Sequence, residues 1–482
     1  MDNKSLRKKD AMTDELKEKW VVNKQYKTGP IMAALLIAGF VGLFSETALN
    51  IALNELKGIF NVDATTIQWL ATGYFLTLGI LVPVSGILMQ KFTTRQMFLA
   101  SILFSITGTM VAALAPAFGV LLAARIIQAV GLAIMLPLTQ NVIFTIYPPD
   151  KRGGAMGMMG LVILAGPAFG PTLAGMILDA ISWHWIFWLT LPFLLLSLVL
   201  GIVFIPNVNE IRKVSIDYLS VILSTLGFGG VVYGVSTGGS LGWTHIIVLG
   251  SIGIGLFSLI LFSIRQLKMQ EPMLNLRAFK HPLFTLGLVM NVITFFNMLS
   301  LLVVLPMYMQ MALLISAFVS GLVLLPGSLL NCILAPIVGR LFDKYGPRAL
   351  ITPGTILVVI AYILYMSLGS NTALWPVILA HIIMMVGIGM VIPSVQTNTL
   401  NALPRKLYPD GIAISQTSQQ VAGALGIGIM ISLFTARQNQ LLETVPDVSS
   451  AAASAASVVF IVGLLFAVMN VILSLFMKRP AS

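Results

Sequence analysis

The sequence predicts an all-α integral membrane protein of fourteen transmembrane helices. It is arranged as two six-helix bundles related by pseudo-symmetry with two further helices between them, and both termini are cytoplasmic. Three observations carry this. Of 482 residues, 57% are hydrophobic and only 9% are charged, with a mean hydropathy of +0.96; soluble domains carry about 25% charged residues. Apolar windows long enough to cross a hydrocarbon core of roughly 30 Å recur along the whole chain. Finally, lysine and arginine gather in every second gap between those windows.

Residues 1–28 are polar and of mixed charge, with Asp14, Glu15 and Glu18 among the lysines. They lack the short apolar run and small-residue cleavage site of a signal peptide, so a cytoplasmic tail is expected. The first span is Ile31–Leu53. It carries Glu46, and an ionised carboxylate inside a bilayer costs on the order of 2.5–3.5 kcal/mol on insertion scales, which makes it a functional residue by default. Gly39, Gly42, Glu46 and Asn50 recur at helical spacing on one face, which is expected to look into a protein or water-lined interior. Further windows follow at 66–89, 96–116, 119–141, 154–178, 184–205, 217–236, 244–264, 282–310, 316–339, 349–369, 373–396, 410–434 and 454–477.

A net charge of +11 in a soluble protein would suggest nucleic acid. Here the basic residues form no continuous face and sit in short gaps, so nucleic acid is not an expected partner. All but three of the 28 Lys and Arg fall in the tails and in alternate gaps, from Lys91 and Arg95 to Lys478 and Arg479. The exceptions are Lys57, Arg437 and Arg125. The alternation places both termini in the cytoplasm.

GILMQKFTTR (86–95) matches GRLFDKYGPR (339–348), each after the second helix of a six-helix set. Gly86 and Gly339, Lys91 and Lys344, and Arg95 and Arg348 share a single offset. This internal repeat divides the chain into a tail (1–28), a first bundle (29–206), two inserted helices (207–268) and a second bundle (269–482). Repeats of this kind form secondary transporters with the site at the repeat interface.

Arg125 lies about as deep in the fourth window as Glu46 does in the first, on the order of 10 Å from the outer end. Equal depth makes them candidate partners, because buried charges are usually tolerated by pairing. If Arg125 approaches in one conformation and withdraws in another, the proton affinity of Glu46 changes with it. Asn50, Gln128, Asn291, Gln416 and Gln420 are polar positions expected to line a cavity. Phe295 and Met298 share the face of Asn291 and add apolar, adaptable surface.

Signals for an enzyme fail. GVSTG and GGSLG (234–238 and 238–242) fit a nucleophile pattern without its strand–turn–helix setting. The four histidines lack metal-ligand spacing, and no phosphate-binding loop occurs. No catalytic residue, metal or cofactor is expected beyond protons as the coupling ion. The lone cysteine, Cys332, forms no intrachain disulfide.

GRLFDKYGPR resembles the loop signature of the major facilitator superfamily. The chain is similar, from residue 31 to 477, to the fourteen-helix drug:proton antiporters of that superfamily. RIIQAVGLAIMLPL (125–138) resembles the fourth-helix motif, with Arg125, Gln128 and Gly131 in place. GPAFGPTLAG (166–175) resembles the fifth-helix antiporter motif, through Gly166, Pro167, Gly170 and Pro171. WHWIFWLTLP (183–192) and ISQTSQQVAGALG (414–426) resemble two more motifs, the first with His184 in an arginine position. The first loop copy departs from the pattern, with Gln90 where the family has Asp and Thr93 where it has Gly.

The resemblance implies a proton-driven exporter of hydrophobic or amphipathic drugs working by alternating access, with the cell membrane as its site and one chain as its unit. Gly86, Gly339, Asp343, Lys344 and Arg348 are then expected to hold one closure state. In the second copy Asp343 is expected to pair with Lys344 and Arg348, and the copy with Gln90 is expected to be weaker. A symporter, an exporter of one specific metabolite, and a non-transporting receptor are the alternatives.

Overall fold

A computed structural model describes residues 27–62, 64–208, 217–269, 272–443 and 447–479. The tail at 1–28, except for its last two residues, lies outside the described residues, as do Arg212 and Lys213. The side chains of Asn50, Pro167 and Pro171 are likewise outside the described part.

All the regular structure among the described residues is helical, and no strand occurs among them. In hydrocarbon each backbone N–H and C=O needs an internal partner, and a helix supplies one from its own segment. The helices are α1 (Thr28–Phe60), α2 (Ala64–Lys91), α3 (Thr94–Ala113), α4 (Phe118–Ile146), α5 (Arg152–Ala180), α6 (His184–Trp188), α7 (Leu191–Phe204), α8 (Tyr218–Leu241), α9 (Ile246–Lys268), α10 (Pro282–Met311), α11 (Ala317–Tyr345), α12 (Arg348–Met366), α13 (Leu374–Asn401), α14 (Tyr408–Leu442) and α15 (Val448–Phe476). Thirteen stretches among the described residues are long and apolar enough to cross a membrane. The helix α5 is a further 29-residue helix whose described apolar part is Arg152–Gly166. The window expected at 184–205 is broken at Leu189 and Thr190 into α6 and α7, which together make one span.

Helix ends follow local chemistry. Thr93 and Gln96 form a reciprocal capping box that opens α3. Ser316 caps α11 and Asp447 caps α15. Gly346, with φ of +82°, ends α11 in a conformation open to glycine, and Pro347 leads into α12.

Packing follows the repeat. The second helix of the first set, α2, packs on the fifth of the second set, α14; reciprocally, the fifth of the first, α5, packs on the second of the second, α11. That exchange is what a two-fold relation between the sets requires. Matched side chains agree. Arg95 donates to the carbonyl of Ile202 at the end of α7, and Arg348 donates to those of Leu475 and Met477 at the end of α15. Each caps the last helix of its own set.

The inserted pair is held by small residues. Gly227 faces Leu259, and Gly230 and Gly255 sit where a side chain would strike the partner backbone. The helix α8 also touches both sets, with Val232 against Gly79 of α2 and Val235 against Gly428 of α14. Both sets bury large apolar clusters, around Ile31, Phe98 and Phe144 in the first and Tyr308, Tyr365 and Phe460 in the second.

Candidate functional site

The helix α1 carries Glu46 on a stretch packed between α4 and α5. Gly166 of α5 lies against Leu43, and Gly170 against Thr47, so the two glycines of the GPAFGP segment let α5 close onto α1 on either side of Glu46. Any larger side chain at either position would meet α1. Across α1, Gly42 lies against Leu132 of α4. Glu46 is partly buried, and its Oε2 is fully enclosed with no hydrogen-bond partner.

Arg125 is completely buried. Its guanidinium donates to the carbonyl of Ser45 (3.0 Å), the hydroxyl of Ser45 (3.1 Å), Oε1 of Gln128 (3.0 Å) and the carbonyl of Leu70 (3.4 Å). It also lies 4.1 Å from the ring centre of Tyr74, whose hydroxyl donates to the Gly42 carbonyl. The expected ion pair with Glu46 is not formed among the described residues; Arg125 grips the residue before it. The physical reason is that carbonyls, side-chain oxygens and an aromatic face take up most of the guanidinium, while Glu46 points about 100° further round α1. One donor nitrogen, Nη2, is left without a partner. An unpartnered carboxylate oxygen therefore lies on the residue next in sequence to the one that Arg125 grips, and Arg125 itself keeps an unpartnered donor.

Gln128 belongs to this network, accepting from Arg125 and donating to Thr109 at 3.0 Å. Gln416 of α14 reaches across to α4, donating to Oε1 of Gln140 at 3.1 Å. Asn291 is buried and has neither amide atom hydrogen-bonded. Phe295 is buried within the second set, whereas Met298 reaches the junction of the sets beside Leu164, Ala165 and Cys332. Gln420 is half-buried.

The two sets meet at the end that carries the basic gaps. Asp343 accepts from the backbone N–H groups of Gly153 and Gly154, both at 2.8 Å. The expected pairing of Asp343 with Lys344 and Arg348 is thereby corrected. Free N–H groups at the start of α5 offer a carboxylate charge-assisted bonds and the favourable end of a helix dipole. Lys344 is exposed, and Arg348 is occupied with the carbonyls of α15. Gly339 abuts the Gly153 carbonyl, and Gly86 abuts Ala413 and the Pro409 carbonyl, so both repeat glycines mark where one set touches the other.

Sequence reasoning missed Arg152, counted as a loop charge. It is buried at 3% exposure and donates across the junction to Asn401 Oδ1 and the Tyr408 hydroxyl, both at 2.8 Å. It also missed a second copy of the fourth-helix motif, Ala380-His381-Ile382-Ile383 against Ala124-Arg125-Ile126-Ile127, continued by Pro393 against Pro137 and Gln396 against Gln140. His381 stands where Arg125 does, buried beside Gly327 and 3.5 Å from the Tyr365 hydroxyl. Aligning the two fourth helices would have found it.

Comparison with known proteins places this architecture. The family description of the Major Facilitator Superfamily matches residues 35–427. The chain is 50% identical over 465 residues to the lincomycin resistance protein LmrB of Bacillus subtilis, covering 95% of this chain and 97% of that protein. It is 25% identical over 411 residues to a multidrug resistance protein B homolog of Mycobacterium tuberculosis, covering 84% of this chain and 76% of that protein. The crystal structure of the human organic anion transporter MFSD10 (TETRAN) shares the fold, with a TM-score of 0.64 at 13% identity, over 92% of this chain and all of that one. Two sets of helices exchanging their second and fifth members, and a family match over most of the length, lead to one conclusion: the chain belongs to the Major Facilitator Superfamily and is a multi-pass cell-membrane transporter rather than an enzyme.

Proposed function

We propose that this transporter exports hydrophobic or amphipathic drugs from the cytoplasm in exchange for protons, by alternating access between its two sets of helices, with Glu46 as the coupling carboxylate. The observation that carries the reading is the enclosed, unpartnered Oε2 of Glu46 beside the Arg125 network. No hydrogen bond to that oxygen fixes the carboxyl in one protonation form. The helix bearing it is clamped by α5, a helix of the junction, so a change at Glu46 is transmitted mechanically to the junction. The lincomycin-resistance relative supports drugs as the cargo.

In this reading α5 is the fourteenth span, and the basic end faces the cytoplasm with both termini. The contacts of Asp343 and Arg152 then close the cytoplasmic side, and the opposite side is the open one. Protons enter from outside, neutralise Glu46, and allow α1 and α5 to repack; opening inward releases the proton and admits drug between Asn291, Met298, Gln416 and Gln420. Both sets lie in one chain, so a monomer suffices.

The test uses everted membrane vesicles with an imposed pH gradient and a panel of cytotoxic compounds. Wild-type vesicles accumulate at least one compound when the gradient is applied, and Glu46→Gln vesicles with the same amount of inserted protein do not. Equal accumulation by both would defeat the proposal.

A further inference from the structure

The repeat is broken at Gln90, which stands where the second copy has Asp343. In the second copy the carboxylate sits on α11 and accepts from the first turn of α5. In the first copy the acceptor has changed sides. Gln90, at the end of α2, donates from Nε2 to Oδ1 of Asp410 in the first turn of α14, at 3.4 Å. Asp410 is 3% exposed. The same interface therefore still contains one carboxylate, moved from the second helix of one set to the fifth helix of the other.

The transposed carboxylate also holds a third element. Oδ1 of Asp410 accepts the backbone N–H of Asn275 at 2.9 Å. Asn275 lies in the segment 272–280 that leads from the inserted pair into α10. Met273, Leu274 and Ala278 of that strap are buried, and Leu274 packs on Gly86 at the contact of α2 with α14. The same stretch is tied to the pair: the N–H of Leu274 donates to Oε1 of Gln266 on α9, whose Nε2 donates to Ser220 on α8.

We infer that Asp410 is a positioning residue of the closed junction: its carboxylate replaces the one missing at position 90 and ties the strap of the inserted helices into the contact between the two sets. The inference rests on the alternating-access reading for its role in transport. It gives the inserted pair a part in closure, since Asp410 joins α2, α14 and the strap at one oxygen. It also means that the loop motif here is adapted to a neutral partner. Restoring the family's aspartate at position 90 sets two carboxylates face to face in a buried place, where like charges repel strongly. Cations on the neighbouring stretches are Lys91 on α2, Arg405 and Lys406 before α14, and Arg277 and Lys280 on the strap.

The experiment uses the full chain in liposomes, with Cys332→Ala and spin labels on Phe92→Cys and Tyr345→Cys. Both sites are exposed, near the basic ends of α2 and α11. Distances are measured without drug or pH gradient, so the result is independent of whether Glu46 couples protons. The parent gives mainly the short distance. Gln90→Asp raises the long-distance population on the order of tenfold, and Gln90→Asp combined with Asp410→Asn returns it toward the parent. Asn275→Pro, which removes the strap's N–H without touching α2 or α14, gives a smaller shift in the same direction. A Gln90→Asp protein indistinguishable from the parent, or a double variant as open as the single, would overturn the transposed carboxylate. A parent-like Asn275→Pro protein would remove the strap from the closure.

Discussion

The contact of Asp343 with the start of α5 supports a quantitative prediction. Asp343→Asn keeps the shape of the side chain but removes its charge and one of the two acceptors that meet Gly153 and Gly154 at 2.8 Å. A hydrogen bond to a charged group contributes roughly 1.5–3 kcal/mol, and about 1.4 kcal/mol is a factor of ten in an equilibrium. The open population at the basic end is therefore expected to rise about 10- to 100-fold. The protein supplies its own reporter. Cys332, its sole cysteine, is buried on α11 beside Leu164, Ala165 and Ala335, on the order of 16 Å from Asp343 along the helix. A small, charged thiol reagent added at the basic face modifies Cys332 at a rate that follows the open population. The rate should rise by the same factor in the variant. An unchanged rate in an inserted, folded protein would show that the contact does not hold the junction closed.

Two further outcomes are expected. Arg125→Ala displaces the pH dependence of gradient-driven transport, because a buried cation beside Glu46 influences how readily the carboxyl releases its proton; a superimposable pH profile would separate the two residues. Asp217 anchors the inserted pair through Arg265 at 2.7 and 3.1 Å, and the Arg265 bond, with that of Ser220, holds its carboxyl down at about 2. With its folded value below the unfolded value of about 3.9, its contribution is complete above pH ~4 and disappears as pH falls toward 2. Thermal unfolding should therefore separate wild type from Asp217→Asn at pH 7 and bring them together near pH 2; a constant difference would exclude the ion pair as its source.

The helices were legible because lipid leaves the chain little choice. Runs of apolar residues broken by turns and basic gaps become helices in the expected order, with α1 and α14 running on to Phe60 and Leu442, beyond the apolar windows. Glu46 was legible because a carboxylate in such a run is costly without a use. What surrounds it was not. Arg125 takes the carbonyls of Ser45 and Leu70, and composition gives no sign of where a backbone carbonyl points. Asp343 was read with its sequence neighbours Lys344 and Arg348, yet it meets the N–H groups of a helix that starts far away in the chain. Gln90 suggested a weaker contact for the same reason: the compensating carboxylate, Asp410, is over three hundred residues distant.

The coupling role of Glu46 is tested most directly by comparing two modes of transport in one preparation. Proteoliposomes loaded with a transported compound measure exchange of labelled for unlabelled compound without a pH gradient, and net accumulation with one. A proton moving through about 100 mV supplies about 2.3 kcal/mol, and one pH unit adds about 1.4 kcal/mol, enough to sustain a gradient of several hundred-fold. Glu46→Gln should retain exchange, since its neutral side chain permits the conformational cycle, while its gradient-driven accumulation and the accompanying proton flux fall to background. A variant that still accumulates the compound with the wild-type proton flux would contradict the account.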